Sequence, residues 1–428
     1  AQAIWAQEQF TRMTSMHANG DKTCTLLGRF NAAGTSDGKI EEAPVSMFRV
    51  CLAGAPYALS AVPGTLMAYL GPKIAKDASG FTMAAVSTFA SMYWIGFAAT
   101  SGVILPLLDS VGRRKPACAM IALSFVFAVQ QSLTTSAWVF GATQFMMGMT
   151  FPVAALACNL LAQESAPWEL RLTTTVALNV AWGTASLLLA AVSGWVTRSW
   201  SWRAEMLMWY GLAALWLVPG LTIVKESPSF EAAAQAAAQA RDTNESSAST
   251  AQMLEAPYGR RLFVMTLTLS VSSLAFHGLT FSVGTLSDNL YMNAIWLSMA
   301  DLVGNALPQV IVARLGSKNT LISCFVGAGV VLVTCGRLPR GSSSLLACAL
   351  SGRLLIDVAF LTYFLMVVEL FPAEIRATAS GCANIFARLV TFLAPYSAML
   401  PAAVTCPLLG LLSLAAAGAI TALLDDVV

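Results

Sequence analysis

The sequence predicts an all-α membrane protein of twelve transmembrane helices arranged six plus six, and three observations predict it. Of 428 residues, 57% are hydrophobic and only 11% charged, whereas soluble domains carry about a quarter charged residues. The apolar residues fall in continuous runs of roughly 20, the length that crosses a ~30 Å hydrocarbon core as a helix. The one long interruption between runs, 225–260, lies near the middle of the chain. Continuous rather than alternating runs exclude a membrane β-barrel.

Residues 1–44 are polar, without sustained periodicity, and read as an amino-terminal arm. Spans follow at about 46–69, 82–107, 117–133, 138–162, 173–197, 204–224, 261–286, 291–313, 319–336, 344–370, 377–400 and 402–424. This divides the chain into the arm, a first six-helix half (45–224), a central inner loop (225–260) and a second half (261–428). Within the loop, the Ala/Gln run Phe230–Ala240 reads as a short helix on the membrane surface. The Ser/Thr/Asn-rich Arg241–Thr250 reads as a flexible linker.

With the amino terminus inside, the inner side receives fifteen Lys and Arg residues and the outer side six, as the positive-inside bias requires. An internal repeat supports the six-plus-six division. Glu164–Arg171 follows the fourth span and Glu369–Arg376 the tenth, both Glu-x6-Arg, 205 positions apart. Asp109-Ser-Val-Gly-Arg-Arg114 follows the second span and Ala313-Arg-Leu-Gly-Ser-Lys318 the eighth, 204 positions apart. Matching offsets in corresponding loops point to duplicated halves.

Charges inside apolar spans need partners or a function, because each costs roughly 2.5–3.5 kcal/mol at the bilayer centre. At 1.5 Å of rise per residue, Asp357 and Arg388 lie about 18 Å from the inner surface, Asp301 about 20 Å, and Arg353 and His277 about 24 Å. Five polar groups therefore gather near the midplane as candidates for a solute site. Arg353 and Asp357 stand one helical turn apart, a spacing suited to an intrahelical ion pair. Asp301 is equally suited to pairing with a neighbouring helix, and His277 to hydrogen-bonded packing.

The stretch Asp109–Lys115, DSVGRRK, resembles the cytoplasmic loop signature of the major facilitator superfamily, with Leu105 at the first Gly position and Ser110 at the first Arg. Further stretches narrow the resemblance to the organic anion/organic cation branch of the solute carriers. These are Ser201-Trp-Arg203, Lys225-Glu-Ser-Pro-Ser-Phe230, Phe276–Gly284 with Asn289–Asn293, and Glu369-Leu-Phe-Pro followed by Arg376. The similarity covers about 45–425.

The resemblance implies a major facilitator fold and alternating-access transport of a small organic solute, by exchange or facilitated diffusion. It implies a charge latch at the inner ends of the helices, here Asp109, Arg113, Arg114, Glu164, Arg171, Glu226, Arg314, Lys318, Glu369 and Arg376. It makes Arg388, in ANIFARLVTFLAP, the discriminating residue: a basic side chain there resembles the anion transporters, and a guanidinium fork suits a carboxylate or phosphate. Asp301 matches the acid of the family's eighth-span motif, and Asn305 stands where anion members place a second base. Gln144 replaces an Arg typical of the fourth span. Trp182, Trp209, Phe281 and Tyr363 are candidate aromatic walls.

Ser110 and Gln144 keep a second class open, a transport-inactive protein of the same fold acting as a structural subunit or receptor in a membrane complex. An enzyme is disfavoured, since only His17 and His277 are available to a nucleophile or metal. No cofactor, metal or nucleic-acid partner is expected. Cys51, Cys118, Cys158, Cys324, Cys348 and Cys382 fall within spans and read as small hydrophobes.

Overall fold

The computed structural model describes residues 47–77, 81–167, 170–227, 230–231 and 257–424. The expected arm, and all of the central Ala/Gln and Ser-rich stretch beyond Phe230 and Glu231, lie outside the described residues. The helices are α1 (Met47–Leu59), α2 (Ala61–Lys76), α3 (Met83–Ser101), α4 (Ile104–Val111), α5 (Arg114–Leu133), α6 (Ala137–Ser165), α7 (Arg171–Trp195), α8 (Trp202–Leu215) and α9 (Leu217–Thr222). After the central segment come α10 (Tyr258–Phe281), α11 (Val283–Leu286), α12 (Leu290–Gly304), α13 (Pro308–Leu315), α14 (Ser317–Cys335), α15 (Ser343–Leu370), α16 (Ala373–Thr391), a 3₁₀ turn (Ala394–Met399) and α17 (Ala402–Leu423).

Each expected span corresponds to one helix or to two consecutive ones. Among the described residues, nine helical passages are long and apolar enough to cross a membrane. The other three passages, α3–α4, α12–α13 and α16 with its 3₁₀ turn, are interrupted or charged. In the second of these, Pro308 restarts the helix at its first position, where a missing N–H costs nothing. Four spans begin at the outer end with a side-chain cap: Thr82, Ser201, Asn289 and Ser342 each accept a hydrogen bond from the backbone N–H three residues on.

Small residues set the packing. A Cβ on Gly148 would lie 2.0 Å from the Tyr93 carbonyl oxygen, and one on Gly96 2.1 Å from that of Phe145. Glycine thus lets α3 and α6 touch backbone to backbone, as lipid-embedded helices do where no hydrophobic drive separates them from solvent. That approach carries Tyr93, Trp94 and Phe97 towards the interior. Phe48, Leu133, Leu215, Val218 and Phe263 face outward, and Trp138, Trp195 and Trp200 stand exposed at the outer ends, the positions of an interfacial aromatic belt. The protein is an integral, multi-pass membrane protein.

Candidate functional site

A cavity of about 370 Å³ opens among α1, α2, α3, α6, α7, α10, α15 and α16. It reaches Ile104, Arg376 and Ser380 towards the inner end and His277, Asp357 and Arg388 at mid-depth. Aromatic residues contribute to its walls, among them Tyr57, Trp94, Phe97, Trp182, Phe276 and Phe360. Of the four candidate wall residues, Trp182 lines it, whereas Trp209, Phe281 and Tyr363 are buried elsewhere in the core. Trp94 and Phe97 carried no sequence signal that separates them from ordinary core aromatics.

Arg388 projects from α16 with its guanidinium 4.4 Å from the Phe97 ring centroid and 5.8 Å from that of Trp94. Nη1–H donates to Ser273 Oγ at 3.2 Å, and Nε is buried without a hydrogen-bond partner. Its charge meets no carboxylate within ion-pair distance among the described residues. The His277 ring packs against Trp94 at a tilt of 49° with centroids 4.2 Å apart, and its Nδ1 is also unpartnered. Asn305 Nδ2 and Asp357 Oδ2 complete a set of four unpaired polar atoms on lining residues.

The expected intrahelical pair between Arg353 and Asp357 does not form. Arg353 turns instead to α12, donating from Nε to Asp301 Oδ1 at 2.6 Å and from Nη2 to Oδ2 at 2.9 Å. Its Nη1 donates to the Phe276 carbonyl and to Thr280 Oγ1, and the guanidinium stacks over the Phe276 ring. The physical reason is geometric: a carboxylate presented edge-on by a neighbouring helix accepts the planar fork with both oxygens, which a carboxylate one turn away does not. Arg353 and Asp301 are nearly inaccessible and do not line the cavity. Of the five midplane candidates, Asp357, Arg388 and His277 do.

At the inner ends Arg113, Glu164 and Glu226 of the expected latch come together, whereas Glu369 and Lys318 take other partners. Gly112, at φ 95°, turns the chain so that the N–H groups of Arg113 and Arg114 point at Glu226, at 2.9 and 3.1 Å. The carboxylate thereby caps α5, where the helix dipole favours negative charge. The Arg113 side chain reaches Glu164 with Nε and Nη2 at 3.1 and 3.2 Å, and Ser227 Oγ–H donates to the same carboxylate. Arg114 Nε donates to the Gly220 carbonyl at 2.9 Å.

The corresponding turn at Gly316, φ 76°, places Ser317 rather than Lys318 on Glu369, with Oγ–H donating at 2.6 Å. Burial holds the Glu369 carboxyl above its ordinary range, and the Ser317 hydrogen bond pulls the other way. Lys318 instead donates to the Leu424 carbonyl at 2.5 Å. Arg376 donates from Nε to the Phe371 carbonyl at 3.0 Å and Arg171 from Nε to that of Ala166 at 3.4 Å. Arg314 is exposed. The side chain of Asp109 lies outside the described residues.

The outer ends close over the cavity. Ser91 Oγ–H donates to the Phe392 carbonyl at 2.7 Å, and the hydroxyls of Thr88 and Tyr396 stand 3.2 Å apart. Across α7 and α12, Ser186 and Ser298 are 3.2 Å apart, and a Cβ on Gly194 would lie 2.7 Å from that of Tyr291. The two tightest outer ion pairs among the described residues were not anticipated from the sequence: Lys73 with Glu205 at 2.5 Å and Arg203 with Asp77 at 2.6 Å. Each joins residues more than 120 positions apart, with no local spacing to betray them.

Comparison with known proteins places this geometry in context. The family model described as Major Facilitator Superfamily matches residues 51–395. The organic cation transporter-like protein of Drosophila melanogaster is 23% identical over 73% of this chain and 62% of its own length. Solute carrier family 22 member 15 of Xenopus tropicalis is 27% identical over 73% of this chain and 64% of its own. Solute carrier family 22 member 7 of Homo sapiens is 23% identical over 85% and 71%. The chain thus spans less than two thirds of the first of these relatives. The xylose transporter XylE from E. coli, in an inward open conformation, superimposes with a TM-score of 0.70 at 17% identity, covering 88% of this chain and 96% of that one.

Proposed function

We propose, for a chain that belongs to the major facilitator superfamily, that it moves a small organic anion across the membrane by alternating access. The carrying observation is Arg388. It is a buried guanidinium on the cavity wall, with an unpartnered Nε, no carboxylate bound to it among the described residues, and the faces of Phe97 and Trp94 beside it. Arg353 offers no comparable anchor, since Asp301 already holds it. A carboxylate, sulfonate or phosphate on an aromatic solute would take the free edge of Arg388, while the aromatic wall receives its apolar body. Low local dielectric strengthens that contact.

Alternating access is supported by the shape of the cavity, which extends to the inner end while α3 and α7 meet the 3₁₀ turn and α12 at the outer end. In this reading residues 45–224 and 261–428 are the two moving halves, and the inner-end network around Arg113 and Glu164 re-forms its inter-helix contacts as they rock. Exchange or facilitated diffusion both fit such a cycle.

The experiment is uptake of labelled benzenesulfonate, which stays anionic at every working pH, into proteoliposomes. Arg388→Ala should abolish uptake while the purified protein keeps its elution volume and thermal transition. Uptake undiminished in that variant removes Arg388 from the site. Absent uptake in the wild type, with a stoichiometric partner on purification in native lipid, would favour the structural-subunit reading that Ser110 and Gln144 motivate.

A further inference from the structure

Three cysteines meet at the outer ends of α14, α15 and α17. Cys335 ends α14, Cys348 stands in the second turn of α15 and Cys406 in the second turn of α17. The thiols of Cys335 and Cys406 are in hydrogen-bond contact, and that of Cys348 also reaches Cys335. Cys335 and Cys406 are buried, whereas Cys348 is half-buried, with Thr334 Oγ1 3.9 Å from its Sγ.

A disulfide needs Cα atoms no more than about 7 Å apart, so two helices must touch closely at the level of the cysteines themselves. Here they do. A Cβ on Gly410 would lie 2.8 Å from the Gly329 carbonyl oxygen, and one on Gly336 3.2 Å from that of Ala403 and 2.5 Å from Pro407 Cγ. The antiparallel α14 and α17 therefore meet backbone to backbone at two levels, and Cys335 and Cys406 lie between them. No group of three His, Cys, Asp or Glu among the described residues is placed to hold a metal, which leaves sulfur-on-sulfur chemistry for the trio.

The half-buried thiol selects the oxidant. α15 carries no charge before Arg353, and the exposed neighbours of Cys348 are Thr334, Ala347 and Ser351. A charged oxidant such as a peptide disulfide finds nothing there to pair with, and an uncharged hydroperoxide needs no such partner.

We propose that Cys348, Cys335 and Cys406 form an oxidation site at the outer membrane face, which reduces a hydroperoxide, ROOH, and ends as a Cys335–Cys406 disulfide. In the first step the Cys348 sulfur attacks the O–O bond, giving Cys348–SOH, while the thiol proton leaves with the alkoxide as ROH. Cys335–SH then displaces water from Cys348–SOH and forms a Cys335–Cys348 disulfide. Cys406 attacks the Cys335 sulfur, and Cys348 departs as the thiol. In sum two thiols and ROOH give one disulfide, ROH and water; two electrons pass from sulfur to the peroxide. Neither α14 nor α17 lines the cavity. The bridge thus braces the second half from within and makes no link to the first, and the inference stands apart from the transport reading.

The test uses the full chain, reduced and reconstituted into phosphatidylcholine vesicles, with hydrogen peroxide added to the water or a phosphatidylcholine hydroperoxide built into the bilayer. Remaining thiols are blocked with N-ethylmaleimide and the peptides read by mass spectrometry. Either oxidant should yield a linked Cys335–Cys406 peptide, and the one effective at lower concentration identifies the source. Cys348→Ala should slow its formation about tenfold or more, because the buried pair has lost its entry thiol. In Cys335→Ala, dimedone should label Cys348 as the stranded sulfenic acid. The oxidised wild type should melt about 5 °C above the reduced protein. No linked peptide with either oxidant, a final bridge that joins any other pair, an undiminished rate in Cys348→Ala, or an oxidised protein that melts no higher overturns the proposal. The wild-type peptide map decides it even where a variant fails to fold.

Discussion

Arg353 and Asp301 form a two-pronged ion pair between α15 and α12, with N–O distances of 2.6 and 2.9 Å and both side chains almost fully buried. Removing one member strands the other's charge, which costs about 3–5 kcal/mol in a buried pair, whereas replacing both with apolar groups of similar size is often close to neutral. Arg353→Met and Asp301→Leu should each lower the thermal transition markedly, and the double variant should recover most of it. Thermal melts of the three purified proteins check this. Additive losses in the double variant would contradict it.

Arg113 joins three elements, reaching Glu164 on α6 with two nitrogens and the Leu108 carbonyl on α4 with a third, while its backbone N–H caps α5 with Glu226. Lysine carries the charge without the fork. Arg113→Lys should therefore resemble Arg113→Ala in stability, with a loss on the order of 1–3 kcal/mol. Denaturation monitored by Trp fluorescence measures it.

The outer seam leaves no room at Gly194, where a Cβ would already meet Tyr291 at 2.7 Å. Gly194→Leu should hold α7 away from α12 and raise the outer accessibility of the seam. A single cysteine introduced at Ser298 should react faster with an impermeant maleimide in the Gly194→Leu background than without it; equal rates would show that the seam tolerates the bulk.

Glu369 has a folded-state carboxyl above its ordinary value of 4.5, burial being the larger cause. The native state thus binds this proton more tightly than the unfolded chain does. Stability is then highest below the unfolded value and falls as pH rises through the folded one, with the full penalty present above it. Glu369→Gln should flatten that part of the profile, measured as thermal transitions across mildly acidic to neutral pH.

Much of the fold was legible in the sequence because membrane helices announce themselves by composition, and because duplicated loops such as Glu164–Arg171 and Glu369–Arg376 fix a register. Helical rise alone put Arg388 and Asp357 among the site candidates, and both line the cavity. What was not legible was partner choice. Arg353 had a carboxylate one turn away and took another 52 positions distant, since local spacing says nothing about which neighbouring helix presents a better-aligned group. Ser317 in place of Lys318 on Glu369 has the same origin: the Gly316 turn directs the first residue of α14, not the more strongly charged second one, at the loop. The outer pair of Lys73 and Glu205 had no repeat or motif to mark it.

The two inner turns also differ in the solution variable each one answers to. At Gly112 the clasp is guanidinium on carboxylate, a contact that dissolved salt weakens. At Gly316 the same position is filled by a hydroxyl on a carboxyl whose pKa lies above its ordinary value. The two inner turns should therefore respond differently, the Arg113–Glu164 contact to ionic strength and the Ser317–Glu369 contact to acidity, so a change in the inner medium need not loosen both together.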